Sequence, residues 1–211
     1  MDFSIFTSFD FSAFQWIQDN IWCGFLDKLM PVITYLSEGG AIWIIIAIIC
    51  LFSKKYRKTA ITVAFSLVVM LVLNDIILKN IFARPRPFNF AEFAPLYENL
   101  KDGILISKPH GFSFPSGHAA MSFAAAAAML WNKKWKLFTP SIILAVLVAF
   151  SRNYLMVHYP TDVIFGAVFG VLYSAIAYFL IVRFVYPWFE NHAGTKIDSF
   201  KLKHSKKNKN V

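Results

Sequence analysis

The chain has 211 residues, of which 57% are hydrophobic, and its formal net charge is +9 at pH 7. Together with a mean hydropathy of +0.54, this exceeds the roughly 45–50% apolar content of soluble domains and excludes an ordinary soluble domain. The length fits one domain. Most of the basic residues fall in short clusters between apolar runs, which indicates membrane topology, and we expect no nucleic-acid partner.

The N-terminal segment, residues 1–36, alternates aromatic side chains with acidic and amide side chains. This pattern predicts an amphipathic helix lying at the membrane interface, with a further spanning helix as the alternative. The opening residues lack the basic region and small-residue cleavage site of a secretory signal peptide, so we expect no cleaved leader here.

Five apolar runs follow, and a spanning helix needs about 20 residues. The runs occupy 41–52 (extended back to 36), 59–78, the segment between Pro115 and Asn132, 137–156 and 162–186. They predict an all-α, polytopic transmembrane helix bundle of five spans, or six if the N-terminal segment also crosses. Gly166 and Gly170 are spaced for close helix packing. The domain organisation predicted is 1–36 as the interfacial segment, 37–187 as the membrane domain and 188–211 as a basic tail.

Basic clusters at 54–58, 133–136 and 196–209 alternate along the chain so that all of them can lie on one side of the membrane. The positive-inside rule makes that side the cytoplasm. The long polar loop 84–115 and the short link 157–161 then lie together on the outer face. A bacterial plasma membrane is the predicted location.

Three cations border these two loops: Lys79, Arg86 and Arg152. Converging on one point, they would bind a dianionic phosphate group and stabilise charge during phosphoryl transfer. Ser116 and Gly117 stand at the start of a predicted helix, where backbone N–H groups and the helix dipole favour anions.

Histidine and carboxylate side chains at the same face suggest the chemistry. Asp162 follows His158 by four residues, and a carboxylate on one imidazole nitrogen makes the other nitrogen a better nucleophile. His118 could protonate the leaving oxygen. The residues supply no carboxylate cluster for a metal pair, so we expect neither a metal nor a cofactor.

The three stretches together resemble the three-part signature of the type 2 phosphatidic acid phosphatase superfamily. The first part is Lys79, six residues, then Arg86 and Pro87; the second is 115–118; the third is Ser151 and Arg152, five residues, His158, three residues, then Asp162. The order and the spacing match at every signature position, and the helix pattern extends the resemblance over roughly 37–186.

The resemblance implies a metal-independent lipid phosphatase with a phosphohistidine intermediate. It implies His158 as the nucleophile, Asp162 as the residue that orients it and His118 as the general acid. The phosphoryl group would be held by Lys79, Arg86, Arg152, Ser116 and Gly117. The expected partners are a lipid phosphate substrate and membrane lipids. Undecaprenyl diphosphate is the favoured substrate, and phosphatidylglycerophosphate and phosphatidic acid are the alternatives.

Other interpretations stay open at this point. Lys79 could simply pair with Asp75 on one helix face, and Arg84, outside the signature, is expected to contact the surface or a headgroup. Intramembrane cations could also belong to an anion transporter, and soluble haloperoxidases and acid phosphatases share the signature. The oligomeric state is not predicted.

Overall fold

In a computed structural model, residues 3–98, 100 and 103–188 are described, and all regular structure within these ranges is helical. The all-α prediction is thereby confirmed for this part of the chain. The helices are α1 (Ser4–Asn20), α2 (Gly24–Leu36), α3 (Ala41–Leu51), α4 (Arg57–Met70), α5 (Lys79–Phe82), α6 (Ala94–Glu98), α7 (Gly117–Trp131), α8 (Trp135–Tyr154) and α9 (Pro160–Leu180). Of the predicted tail, 188–211, all but Trp188 lies outside the described residues.

The centre of the bundle is α7, whose run of alanines is buried on nearly all sides. It packs against α8 and most extensively against α9. The two glycines of α9 allow this close approach, since a β-carbon on Gly166 would lie 2.6 Å from the carbonyl oxygen of Ser116 and one on Gly170 would overlap that of Ala120. The predicted role of these glycines in close helix packing is therefore confirmed.

Three helical stretches are long and apolar enough to cross a membrane: Arg57–Glu98, Trp135–Tyr154 and Pro160–Trp188. A fourth span is possible if Gly24–Leu36 and Glu38–Leu51, which meet at a bend of 45°, cross together. The predicted five spans are not confirmed. The reason is length, because α3 has only 11 residues and the buried α7 only 15, whereas a span needs about 20.

The N-terminal segment forms two helices and not the single interfacial helix predicted for 1–36. α1 buries one face, and α2 packs against α8. Gly39 and Gly40 both have positive φ, 57° and 79°, which lets the chain turn sharply from α2 into α3. The predicted boundary between 36 and 37 thus falls at this bend.

α4 continues into α5 through a π-helical stretch, Leu71–Leu78, which contains the polar pair Asn74 and Asp75. π-Helical segments are rare and occur frequently at functional sites. α5 ends where Ala83 takes a left-handed conformation, φ 46°, and the chain enters the long loop. The start of α7 and the link between α8 and α9 lie against this end of the bundle, as the bond from the Ser116 N–H to the carbonyl oxygen of Asp162 shows.

Candidate active site

A cavity of about 480 Å³ opens where α5, the long loop, the start of α7 and the α8–α9 link meet. Six of the eight predicted site residues line it, namely Lys79, Arg86, Gly117, His118, Arg152 and His158. The other two, Ser116 and Asp162, do not line the cavity. The three stretches of the signature are thus brought to one place, although more than 70 residues separate Arg86 from His158.

His158 lies in the link between α8 and α9 and is only 2% exposed. An Nη1–H of Arg86 donates to its Nε2 across 3.2 Å. A guanidinium has donors only, so Nε2 must be the unprotonated nitrogen of a neutral imidazole, and the proton sits on Nδ1. The nitrogen with the free lone pair is therefore the one beside the cavity's cations.

Burial, and then the neighbouring cations Arg86, Arg152 and Lys79, lower the pKa of His158 well below its usual value of about 6.5. A group whose pKa is lowered in this way stays neutral down to a more acidic pH. At neutral pH the imidazole is therefore unprotonated at Nε2, which is the state that a nucleophile requires.

Asp162 lies behind His158, on the first turn of α9, and is fully buried. Its Oδ2 is 3.5 Å from His158 Nδ1 and accepts the backbone N–H of Tyr159 at 3.1 Å. The separation from Nδ1 exceeds an ordinary N–H···O bond, and in this arrangement Nδ1 has no hydrogen-bond partner. The predicted pairing of these two residues stays a prediction.

Arg86 is held by the backbone. It donates to the carbonyl oxygens of His110 at 3.1 Å, Gly111 at 3.0 Å and Val157 at 2.9 Å. These bonds tie the long loop to the α8–α9 link and fix the guanidinium before any anion is bound. Such preorganised donors are the usual source of electrostatic stabilisation in an active site.

The other two cations differ in their surroundings. Lys79 Nζ lies 2.6 Å from an oxygen of Asp75, and both side chains line the cavity. Lys79 therefore pairs with Asp75 on the helix and lines the cavity at the same time. Arg152 is 2% exposed and donates from Nη1 to the hydroxyl of Thr34 on α2. Its Nε has no hydrogen-bond partner.

His118 stands on the first turn of α7, and its Nε2 lies 3.4 Å from an oxygen of Glu38. Glu38, for which the sequence suggested no role, lines the cavity from the bend between α2 and α3. At Gly117 a β-carbon would meet Asp75 Oδ1 at 3.0 Å and Lys79 Nζ at 3.4 Å. A side chain at this position would therefore press on the Asp75–Lys79 pair, and glycine leaves that pair its place beside the helix N-terminus.

One sequence interpretation needs correction, and a second is not supported by the geometry. Arg84, expected at the surface, is only 4% exposed and pairs with Asp10 and Asp162. Ser116 is not among the residues that line the cavity; its Oγ is buried without a hydrogen-bond partner, and its carbonyl oxygen and β-carbon lie against Gly166. A role for its hydroxyl in substrate binding stays a prediction that the geometry does not favour.

Several cavity residues were missed by sequence reasoning: Tyr35, Glu38, Lys108 and His110. Tyr35 comes from the N-terminal segment and Glu38 from the bend that follows it, and both lie outside the signature. The available signal was the position of Glu38 beside a double glycine, since a charge at a sharp turn between apolar stretches is unusual. Among the described side chains, no group of three or more His, Cys, Asp or Glu residues is arranged to hold a metal ion.

The family model of the PAP2 superfamily matches residues 58–186, which include every signature position. The chain belongs to the PAP2 superfamily. The undecaprenyl-diphosphatase of Sulfolobus acidocaldarius is 39% identical over 145 residues, which are 67% of this chain and 66% of that protein. Phosphatidylglycerophosphatase B of Bacillus subtilis is 33% identical over 162 residues, 70% of this chain and 71% of that protein.

The fold is also found among solved structures. The crystal structure of a transmembrane PAP2-type phosphatidylglycerolphosphate phosphatase from Bacillus subtilis superimposes with a TM-score of 0.64 at 24% identity, covering 87% of this chain and 89% of that one. The resemblance inferred from the signature is thereby confirmed, and so is the prediction of a membrane phosphatase of the lipid phosphate class.

Proposed function

We propose that this chain hydrolyses the terminal phosphate of a lipid diphosphate, with undecaprenyl diphosphate as the favoured substrate. The observation that carries the proposal is the placement of His158, whose lone pair at Nε2 lies beside a cavity lined by Lys79, Arg86 and Arg152. A neutral nucleophile next to fixed cations is what attack on a phosphoryl group requires.

The reaction would proceed in two steps. First, His158 Nε2 forms a bond to the terminal phosphorus while the bond from that phosphorus to the bridging oxygen breaks. His118 gives its proton to this leaving oxygen, and Asp162 stabilises the charge that develops on the imidazole. Second, water attacks the phosphohistidine, its proton returns to His118, and inorganic phosphate is released.

A diphosphate fits the charge of the cavity. Lys108, a fourth cation, lines it from the long loop, outside the signature, and its Nζ lies 5.4 Å from the ring of Phe88. The second phosphate of a diphosphate would find a partner there. The relative of 39% identity carries the name undecaprenyl-diphosphatase, which supports the same substrate. The outer face of a bacterial plasma membrane is the proposed location, from the distribution of the basic clusters.

The alternative substrate is phosphatidylglycerophosphate, favoured by the 33% identity with phosphatidylglycerophosphatase B. Phosphate release by detergent-purified protein in excess EDTA, from undecaprenyl diphosphate, phosphatidylglycerophosphate and phosphatidic acid, separates the two. We expect EDTA-resistant release with the highest kcat/KM on the diphosphate. Release from the glycerolipids alone would establish the alternative, and release from none of them would overturn the proposed activity.

The role of His118 as general acid predicts a dependence on the leaving group. In His118→Asn, hydrolysis of phosphatidic acid should slow by about 10²–10⁴-fold, the usual contribution of a general acid. The loss on undecaprenyl diphosphate should be smaller, because its leaving group is a phosphate, a much weaker base than an alkoxide. The measurement is kcat for the two substrates in the variant and in the wild type.

Inhibition by inorganic phosphate provides the control for this variant, since its Ki depends on the cations and should change little. Equal losses of kcat on the two substrates would contradict a proton donated by His118 to the leaving oxygen.

A further inference from the structure

A second buried ionic cluster lies directly behind the candidate active site, and two of its members, Arg84 and Asp10, are outside the signature. Arg84 donates from Nη2 to Asp10 Oδ2 at 2.7 Å and from Nη1 to Asp162 Oδ1 at 2.6 Å. Asp10, on α1, also accepts the backbone N–H of Thr161 at 2.9 Å and its hydroxyl at 2.8 Å. Both carboxylates are completely buried. The N-terminal helix thus contacts the first turn of α9 through charge.

The cluster is built to be rigid. The guanidinium of Arg84 lies between the rings of Tyr159, at 3.7 Å, and Phe3, at 4.6 Å. Its planar fork gives one arm to each carboxylate, and this fixes their relative orientation. Buried ion pairs contribute little net stability, so stabilisation of the fold alone does not account for three buried charges next to the nucleophile.

The cluster sets the position of Asp162. The two oxygens of this carboxylate have different tasks, because Arg84 holds Oδ1 whereas Oδ2 points towards His158 Nδ1. A rotation of the carboxylate that brought Oδ1 towards the imidazole would break the bond to Arg84. Arg84 in turn is held from the other side by Asp10.

We infer that Asp10 and Arg84 are positioning residues: they hold the Asp162 carboxylate in the orientation that keeps the His158 proton on Nδ1 and the lone pair on Nε2. The N-terminal helix is then part of the catalytic apparatus, although it lies outside residues 58–186 matched by the family model. This inference rests on the proposed function, because it concerns how His158 is prepared for attack.

If α1 had a purely structural role, any substitution that loosens its packing should affect activity in the same way. A second residue of α1 provides a matched control. Ile17 lies seven residues after Asp10 on the same buried face of α1. Its aliphatic side chain cannot bond to Arg84, so Ile17→Ala loosens the docking of α1 through a cavity and leaves the polar chain to Asp162 intact. Asp10→Asn keeps the shape and removes the charge, while the Arg84–Asp162 pair remains.

The experiment measures kcat, KM and thermal unfolding in detergent for the wild type, Asp10→Asn and Ile17→Ala, with undecaprenyl diphosphate as substrate and below the unfolding temperature of each protein. We expect Asp10→Asn to lower kcat by about 10-fold or more with KM within about twofold, because the cations that bind phosphate are untouched. We expect Ile17→Ala to lower the unfolding temperature but to keep kcat within about threefold.

Two outcomes would overturn the inference: wild-type kcat in Asp10→Asn, or parallel losses of kcat and stability in both variants. If Asp10→Asn does not fold, Thr161→Val replaces it, since this change removes only the hydroxyl bonds to Asp10 and Arg84. About fivefold lower kcat at unchanged KM supports the inference, at about 1 kcal/mol per hydrogen bond, and an unchanged kcat overturns it. Wild-type protein without phosphatase activity would overturn the proposed function itself.

Discussion

Replacing His158 with alanine is expected to lower phosphate release by at least about 10³-fold, because no other group can take over the bond to phosphorus. The structure gives the reason. Arg86 donates to Nε2 of His158, so the lone pair is on the nitrogen that lies beside the cations of the cavity. The measurement is steady-state release with undecaprenyl diphosphate, combined with trapping of the phosphoenzyme by an alkaline quench.

His110 provides a matched control for this variant. It lines the same cavity, but its contribution to the site is a backbone carbonyl that accepts from Arg86. His110→Ala keeps that carbonyl and should keep kcat within about threefold of the wild type. If His158→Ala still formed an acid-labile phosphoenzyme, another residue would be the nucleophile and the proposed mechanism would be wrong.

The signature residues could be predicted from the sequence because their chemistry depends on local spacing. The interval of four between His158 and Asp162 places both at the start of one helix, and the structure puts their closest side-chain atoms 3.5 Å apart. The same holds for Gly166 and Gly170, whose spacing defines a surface without side chains. In each pair the two residues are four apart in the chain, so the geometry of a single helix, or of the residues next to its start, brings them close together.

Contacts between distant parts of the chain could not be predicted in this way. Arg84 and Asp10 are 74 residues apart, and the local sequence around either residue does not predict a contact with the other. Arg84 stands two residues before Arg86 and was expected to contact the surface or a headgroup, yet it pairs with two buried carboxylates, whereas Arg86 donates to His158. The choice depends on where α1 packs, which is a tertiary property.

The predicted number of spans was not confirmed for a related reason. Hydropathy cannot distinguish a helix surrounded by lipid from one surrounded by protein. α7 is apolar because it is enclosed by α4, α8 and α9, and its alanines admit neighbouring backbones where a lipid-facing helix would carry larger side chains. The exposed Ile, Leu, Val and Phe side chains lie instead on other helices, α8 and α9 among them.

Replacing Gly170 with alanine is expected to lower stability by about 1–3 kcal/mol, the usual cost of overpacking. The added β-carbon would overlap the backbone carbonyl of Ala120 on α7, which cannot move unless the helix moves. Because α7 carries Gly117 and His118 at its start, a displaced α7 would also shift the general acid relative to His158, and kcat should fall together with the unfolding temperature. Thermal unfolding and phosphate release in detergent measure the two effects.

Gly24→Ala separates this clash from the general effect of placing alanine in a helix. Gly24 begins α2, and a β-carbon there would meet no atom within 4 Å, so the change should leave stability equal or slightly raised. A Gly170→Ala protein as stable as Gly24→Ala would mean that α7 and α9 can separate at no cost. The close contact of the two helices at Gly166 and Gly170 would then not be what fixes the position of His118 relative to His158.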